Sequence, residues 1–187
     1  FPHRRCAEGL NNMLYLCPRC GEEFAMASLG DEIFCESCGN RGYMDQYGFL
    51  RPAGREDVIP RTPPEWIDLQ RARIRQEFTK EGFVLREAAY LQFHLRPDTA
   101  KSEDVGEGTV TLSREALTYE GSCNGEQVTL VYPVSTFTKL PFTMGSQFDV
   151  PNPLRYTSIR PKNPRTVEKF VLAVPVIKAG DGAAAGP

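Results

Sequence analysis

The residues with most chemistry to offer are the six cysteines, at positions 6, 17, 20, 35, 38 and 123. Four of them form two C-x2-C pairs, Cys17-Pro18-Arg19-Cys20 and Cys35-Glu36-Ser37-Cys38, with 14 residues between them. A zinc ion takes four thiolates in a tetrahedron, and one tight C-x2-C knuckle delivers two of them. Each pair is followed by a glycine, Gly21 and Gly39. Glycine there permits a positive φ, so that backbone amides can turn toward the sulfurs. The 14 intervening residues suffice for a hairpin that brings the chain back to the metal. Cys17, Cys20, Cys35 and Cys38 are therefore read as the ligands of a structural zinc. Four cysteines close the coordination shell and leave no position for a reacting water.

Two other uses of paired cysteines fit less well. Redox C-x2-C motifs go with a thioredoxin-like βαβ pattern, and none is legible here. A disulfide framework suits a secreted chain, yet no signal peptide precedes the cysteines. Cys6 and Cys123 read as reduced thiols. His3 stands three residues before Cys6, so a fifth ligand or a second metal site is the alternative there. His94 lies in an alternating segment and reads as a strand residue.

The elements that must hold these residues follow from pattern. The chain has 187 residues, a formal charge of -2 and 41% hydrophobic residues, which suits one medium or two small globular domains. Its longest apolar run, Phe170 to Ile177, falls short of the roughly 18 residues of a membrane-spanning helix. Residues 1–50 form the metal block, a segment too short to bury much core without a metal. In it Leu14, Tyr15 and Leu16 are expected as a strand into the first knuckle, and Ile33 and Phe34 as one into the second. Tyr43, Met44, Tyr47, Phe49 and Leu50 are expected to cover the ribbon. Residues 51–82 hold a proline-rich linker and an amphipathic helix. Thr62, Pro63 and Glu65 mark its start as cap, first position and capping-box acid. Trp66, Ile67, Ile74 and Phe78 share one face of it, with Arg71, Arg73 and Arg75 outside that face.

From residue 83 the period becomes two, as in Leu91, Phe93 and Leu95 and again in Val128, Leu130 and Tyr132. Short strands at this spacing indicate an antiparallel sandwich or barrel. Asn163-Pro164 starts a final helix with Val167, Phe170, Val171 and Val174 on one face, which Pro175 should end or kink. The expected fold is mainly β: a four-cysteine zinc ribbon, a linking helix, and over residues 83–178 a PH/GRAM-like antiparallel β-barrel capped by a C-terminal helix. An OB-like barrel is the alternative, and residues 179–187 form a tail.

The run Gly9-Leu10-Asn11-Asn12-Met13-Leu14-Tyr15-Leu16-Cys17-Pro18-Arg19-Cys20-Gly21 is one of several recognisable segments. With it stand Met26, Gly30, Cys35 to Gly39, Tyr47 to Leu50, Pro64-Glu65-Trp66 and Lys169 to Ala173. Together they resemble the region that follows the catalytic domain in bacterial lysophospholipid (1-acyl-glycerol-3-phosphate) acyltransferases. The resemblance implies a non-catalytic accessory region, regulatory, membrane-targeting or partner-binding. Its expected partner is an acyltransferase domain upstream in the same parent chain, and its expected place is cytoplasmic and peripheral to the membrane. The absence of a methionine at Phe1 agrees with a piece of a longer protein. The family's catalytic Asn-His-x4-Asp motif does not occur, since His94 and Asp98 are one residue too close. No catalytic residue is carried over.

Arg155, Arg160, Lys162, Arg165 and Lys169 form a locally basic stretch that could meet an anionic membrane surface. A protein partner is the second possibility, as a free-standing interaction module. A zinc-ribbon nucleic-acid module is the third. It suits the motif, but residues 1–50 carry 4 basic and 7 acidic side chains, which repel phosphate.

Overall fold

The computed structural model describes residues 5–94, 102–151 and 157–183, without the side chains of residues 94, 102, 103 and 181–183. The chain divides into two compact units, Phe1–Arg73 and Ile74–Pro187.

The first unit is an antiparallel sheet of four short strands in sequence order: β1 (Met26–Leu29), β2 (Glu32–Cys35), β3 (Arg41–Met44) and β4 (Leu50–Pro52). Helix α1 (Pro63–Phe78) begins in this unit and ends in the second. Its start is built as the sequence indicates. The Thr62 hydroxyl accepts from the Glu65 amide at 3.4 Å, while Glu65 Oε2 accepts from the Arg61 amide at 2.9 Å. The reciprocal bond thus reaches one residue further back than in a standard capping box.

The core of this unit departs from expectation. Leu50 is buried and Met44 half-buried, but Tyr43, Tyr47 and Phe49 lie exposed and do not cover the ribbon. Leu14, Met26, Ile33 and Trp66 fill the core instead. Nor is the segment Leu14–Leu16 a strand. It has a single bridge, Leu16 to Glu23, because side chains of α1 take the place of a neighbouring strand. Gln70 Oε1 accepts from the Leu16 amide at 3.2 Å, and Trp66 Nε1 donates to the Leu16 carbonyl at 2.7 Å.

The second unit is a seven-stranded antiparallel sheet in the order β8-β7-β6-β5-β11-β10-β9, covered by helix α2 (Thr166–Ala183). The strands are β5 (Leu85–His94), β6 (Ser102–Leu112), β7 (Ala116–Cys123), β8 (Glu126–Pro133), β9 (Phe142–Thr143), β10 (Gln147–Val150) and β11 (Thr157–Pro161). Two meanders, one of four strands and one of three, join where β11 pairs with β5. The expected β-class and C-terminal helix are present. The closed barrel is not: β8 and β9 stand at opposite ends of an open sheet. A 3-10 turn, Val134–Thr136, follows β8.

Helix α2 also differs from its pattern. Phe170 stacks on Phe148 with centroids 5.2 Å apart, and Val167, Val174 and Ile177 are buried. Leu172, Ala173 and Val176 are buried too, so the helix is enclosed nearly all round rather than on one stripe. It runs through Pro175 without ending. The ring lies on the exposed side, and buried residues before and after it hold the helix together across the missing hydrogen bond. Among the described residues no helix is long and apolar enough to cross a membrane.

Glycines let β6 and β7 come close. A Cβ on Gly121 would sit 2.4 Å from the Gly108 Cα and 2.5 Å from the Glu107 carbonyl oxygen. One on Gly106 would meet the Ser122 carbonyl oxygen at 1.7 Å, near the register shift between Leu91 and Gln92. Gly121→Ala is therefore expected to cost about 1–3 kcal/mol through overpacking. Thermal melting followed on signals of the seven-stranded unit should show the loss, and an unchanged midpoint would contradict this account of the close approach.

Candidate metal centre

The two cysteine pairs are congruent knuckles. In the first, the Gly21 amide donates to the Cys17 carbonyl at 2.9 Å and the Cys17 amide to the Glu22 carbonyl at 2.8 Å. In the second, Gly39 donates to Cys35 at 2.9 Å and Cys35 to Asn40 at 2.8 Å. Gly21 and Gly39 have φ of 74° and 73°, the left-handed conformation for which glycine is suited. This turns the next amides onto the sulfurs: that of Glu22 bonds the Cys20 thiol and that of Asn40 the Cys38 thiol.

The hairpin β1–β2 returns the chain so that the pairs face each other. Cys17 Sγ lies 3.7 Å from Cys38 Sγ, and Cys20 Sγ lies 3.9 Å from Cys35 Sγ. All four sulfurs lie within 4.8 Å of one another. A tetrahedron with four zinc–sulfur bonds of about 2.3 Å has edges of about 3.8 Å, so the donor set fits zinc in both chemistry and spacing. Cys17 and Cys35 are buried, Cys38 half-buried and Cys20 exposed. Burial pushes the Cys17 thiol up to about 12 and raises that of Cys38, whereas the Glu22 amide lowers that of Cys20. Two of the four thiols are thus held toward the protonated form by their burial. Zinc binding must release the thiol protons, and it weakens as the pH falls.

A supporting residue escaped the sequence reading. Asn40, fully buried, directs Nδ2 at Cys17 Sγ from 3.8 Å. The same Nδ2 donates to the Val58 carbonyl at 2.9 Å, and its Oδ1 accepts from the Val58 amide at 2.8 Å. It thereby ties the segment after β4 to the knuckles, as outer-shell partners of metal ligands commonly do. A polar residue next to the glycine of the second pair was its only mark in the sequence. Gln70, which also donates to the Met13 carbonyl at 3.0 Å, gave no such mark.

The remaining candidates sit elsewhere. Cys6 and Cys123 are half-buried and lie outside any disulfide, and burial raises the thiol pKa of the first. His94 ends β5 opposite Ser102, while His3, Asp98 and Arg155 fall outside the described residues. Arg160 pairs with Asp104 and Lys162 with Glu107, both on β6. Lys169 is buried and pairs with Glu77 at 2.9 Å. Arg165 lies just before α2 and donates its amide to Asn163 Oδ1 at 3.2 Å. Arg160, Lys162 and Lys169 are thus matched by carboxylates, which reduces the charge they offer to any surface.

Two knuckles, a closed set of four thiols and a small antiparallel sheet define a zinc ribbon with a structural metal site. Residues 10–44 match a family model for a zinc ribbon, described as DNA directed RNA polymerase, 7 kDa subunit. No curated protein matches the chain. This finding corrects the expected relationship to an acyltransferase-associated region: the family model that residues 10–44 match is that of a polymerase-subunit ribbon. The physical reason lies in the motif. Knuckle, glycine and hairpin are dictated by the zinc ion, so their recurrence does not tie a ribbon to one host protein.

Proposed function

We propose that the first unit is a zinc-folded interaction module that docks onto a protein partner within a larger assembly. The observation that carries this reading is the composition of one sheet face. Cross-strand register places Leu29 opposite Glu32, Glu32 opposite Tyr43, and Tyr43 opposite Arg51. It also places Phe34 opposite Arg41, so all these side chains share the face turned away from Ile33 and Leu50. Leu29 is 71% exposed and Tyr43 48%. Tyrosine, phenylalanine and arginine are enriched in protein interfaces, and tyrosine and arginine among them often carry much of the binding energy. Arg41 lies 3.3 Å from Glu32, and Arg51 lies 3.6 Å from Asp45. The face therefore offers little net positive charge for a phosphate backbone. The match to a subunit of a multi-protein enzyme supports the same reading.

A second reading is single-stranded nucleic acid, favoured by the aromatic and arginine side chains, which can stack and pair with bases. Tyr43→Ala distinguishes the two. Partner binding should weaken by about 2 kcal/mol or more, while zinc content and melting midpoint stay near those of the parent. Tagged full-length chain purified from its own cells, wild type beside the variant, should show a protein retained by the first and lost by the second. A salt-sensitive mobility shift with single-stranded DNA or RNA at about 50 mM salt, lost in the variant, would replace the protein reading with the nucleic-acid one.

A further inference from the structure

The second unit holds a cleft of about 490 Å³ lined by Arg114, Glu115, Val134, Ser135 and Lys178. This lies within the range of small-molecule sites, roughly 300–1,000 Å³. Three elements frame it: the turn from β6 to β7, the 3-10 turn after β8, and the last part of α2. The frame is tied together. The Val134 amide donates to the Glu115 carbonyl at 2.9 Å. Lys178 Nζ donates to the carbonyls of Val134 at 3.3 Å and Phe137 at 3.0 Å. Arg114 lies over the Phe78 ring, 4.0 Å from its centroid, and donates to the Phe78 carbonyl.

These partners orient the two cations without neutralising them. Carbonyl oxygens carry no formal charge, and among the described residues neither Arg114 nor Lys178 has a carboxylate in an ion pair. An ammonium has three N–H donors and a guanidinium five. Two carbonyls leave one donor on Lys178, and one carbonyl leaves four on Arg114. Ser135 adds a hydroxyl. Glu115 also borders the cleft, but its carboxylate is held aside by the Ser113 hydroxyl at 2.8 Å, which keeps it below the usual carboxylate range. We infer that this cleft binds a small phosphate monoester, with Arg114 and Lys178 on the phosphate oxygens and the remaining space taken by the ester group. An arginine fork beside a lysine point charge suits an oxyanion of that size and charge.

The test uses the full, zinc-loaded chain and two probes, inorganic phosphate and phenyl phosphate, followed by NMR titration of the amides of residues 113–116 and 134–137. Saturable shifts with phenyl phosphate, and tighter binding of it than of inorganic phosphate, are expected. Lys178→Gln should weaken binding at least about tenfold, as for loss of a charge-assisted hydrogen bond. Glu115→Gln alters an exposed side chain and should tighten binding roughly threefold by removing a like charge. It keeps the test open should Lys178→Gln impair folding. Absence of saturable shifts, or affinities indifferent to Glu115→Gln, would overturn the site. Equal affinity for the two probes would overturn the ester and leave the bare anion.

Discussion

Removing the metal with a chelator, or replacing Cys17 with serine, unfolds residues 5–73 and leaves the seven-stranded unit with its own melting transition. The expected size is large, because binding of a structural zinc supplies on the order of 10–16 kcal/mol. Little else in the unit could replace it. The strands have three or four residues each, and the core is a handful of side chains around Leu14, Ile33 and Trp66. Without zinc, the buried Cys17 thiol, pushed up to about 12, stays protonated beside three others, and two knuckles have nothing to hold them face to face. Zinc analysis should give one ion per chain in the wild type and none in Cys17→Ser. Amide spectra should collapse for the ribbon alone. Ribbon signals that keep their dispersion after chelation would show that packing, not metal, holds the unit.

The second large effect is expected at Trp66. Its indole is fully buried in the ribbon core, and its Nε1 donates to the Leu16 carbonyl, one residue before the first metal ligand. Trp66→Ala removes the largest side chain of that core, at about 3–5 kcal/mol. It also leaves a buried carbonyl without its partner, at about 1–3 kcal/mol. Because Leu16 leads directly into Cys17, the loss should appear both as a lower melting midpoint of the first unit and as faster zinc release to a competing chelator. Trp66→Phe keeps most of the volume but not the donor, and should recover the packing share only. A Trp66→Ala chain that melts and releases zinc like the wild type would show that α1 has no part in holding the knuckle.

Much of the metal centre was legible from local spacing. Two C-x2-C pairs, each with its glycine, specify two knuckles whatever lies between them, because the geometry of each is closed within six residues. Residues reaching the site from far along the chain were not legible. Asn40 acts through Val58, and Gln70 and Trp66 act on Leu16 from 54 and 50 positions away. No local pattern records such pairings. The exposed aromatics show the same limit. Tyr43, Tyr47 and Phe49 look like core in a composition count, yet α1 supplies the core and leaves them outside.

In the second unit, alternation specified strands and helical spacing specified α2, since both periods arise from the backbone itself. Whether the sheet closes depends on which strands pair across long separations, as β5 with β11, and periodicity says nothing of that. The glycines at 106, 108 and 121 likewise acquire meaning only once β6 and β7 lie together. By itself the sequence determined a zinc ribbon, a mainly β remainder and a terminal helix, each written in short-range spacing. The tertiary structure alone decided the open sheet, the uncovered aromatic face and the cleft at Arg114 and Lys178. Each of these is a relation between residues brought close only by folding.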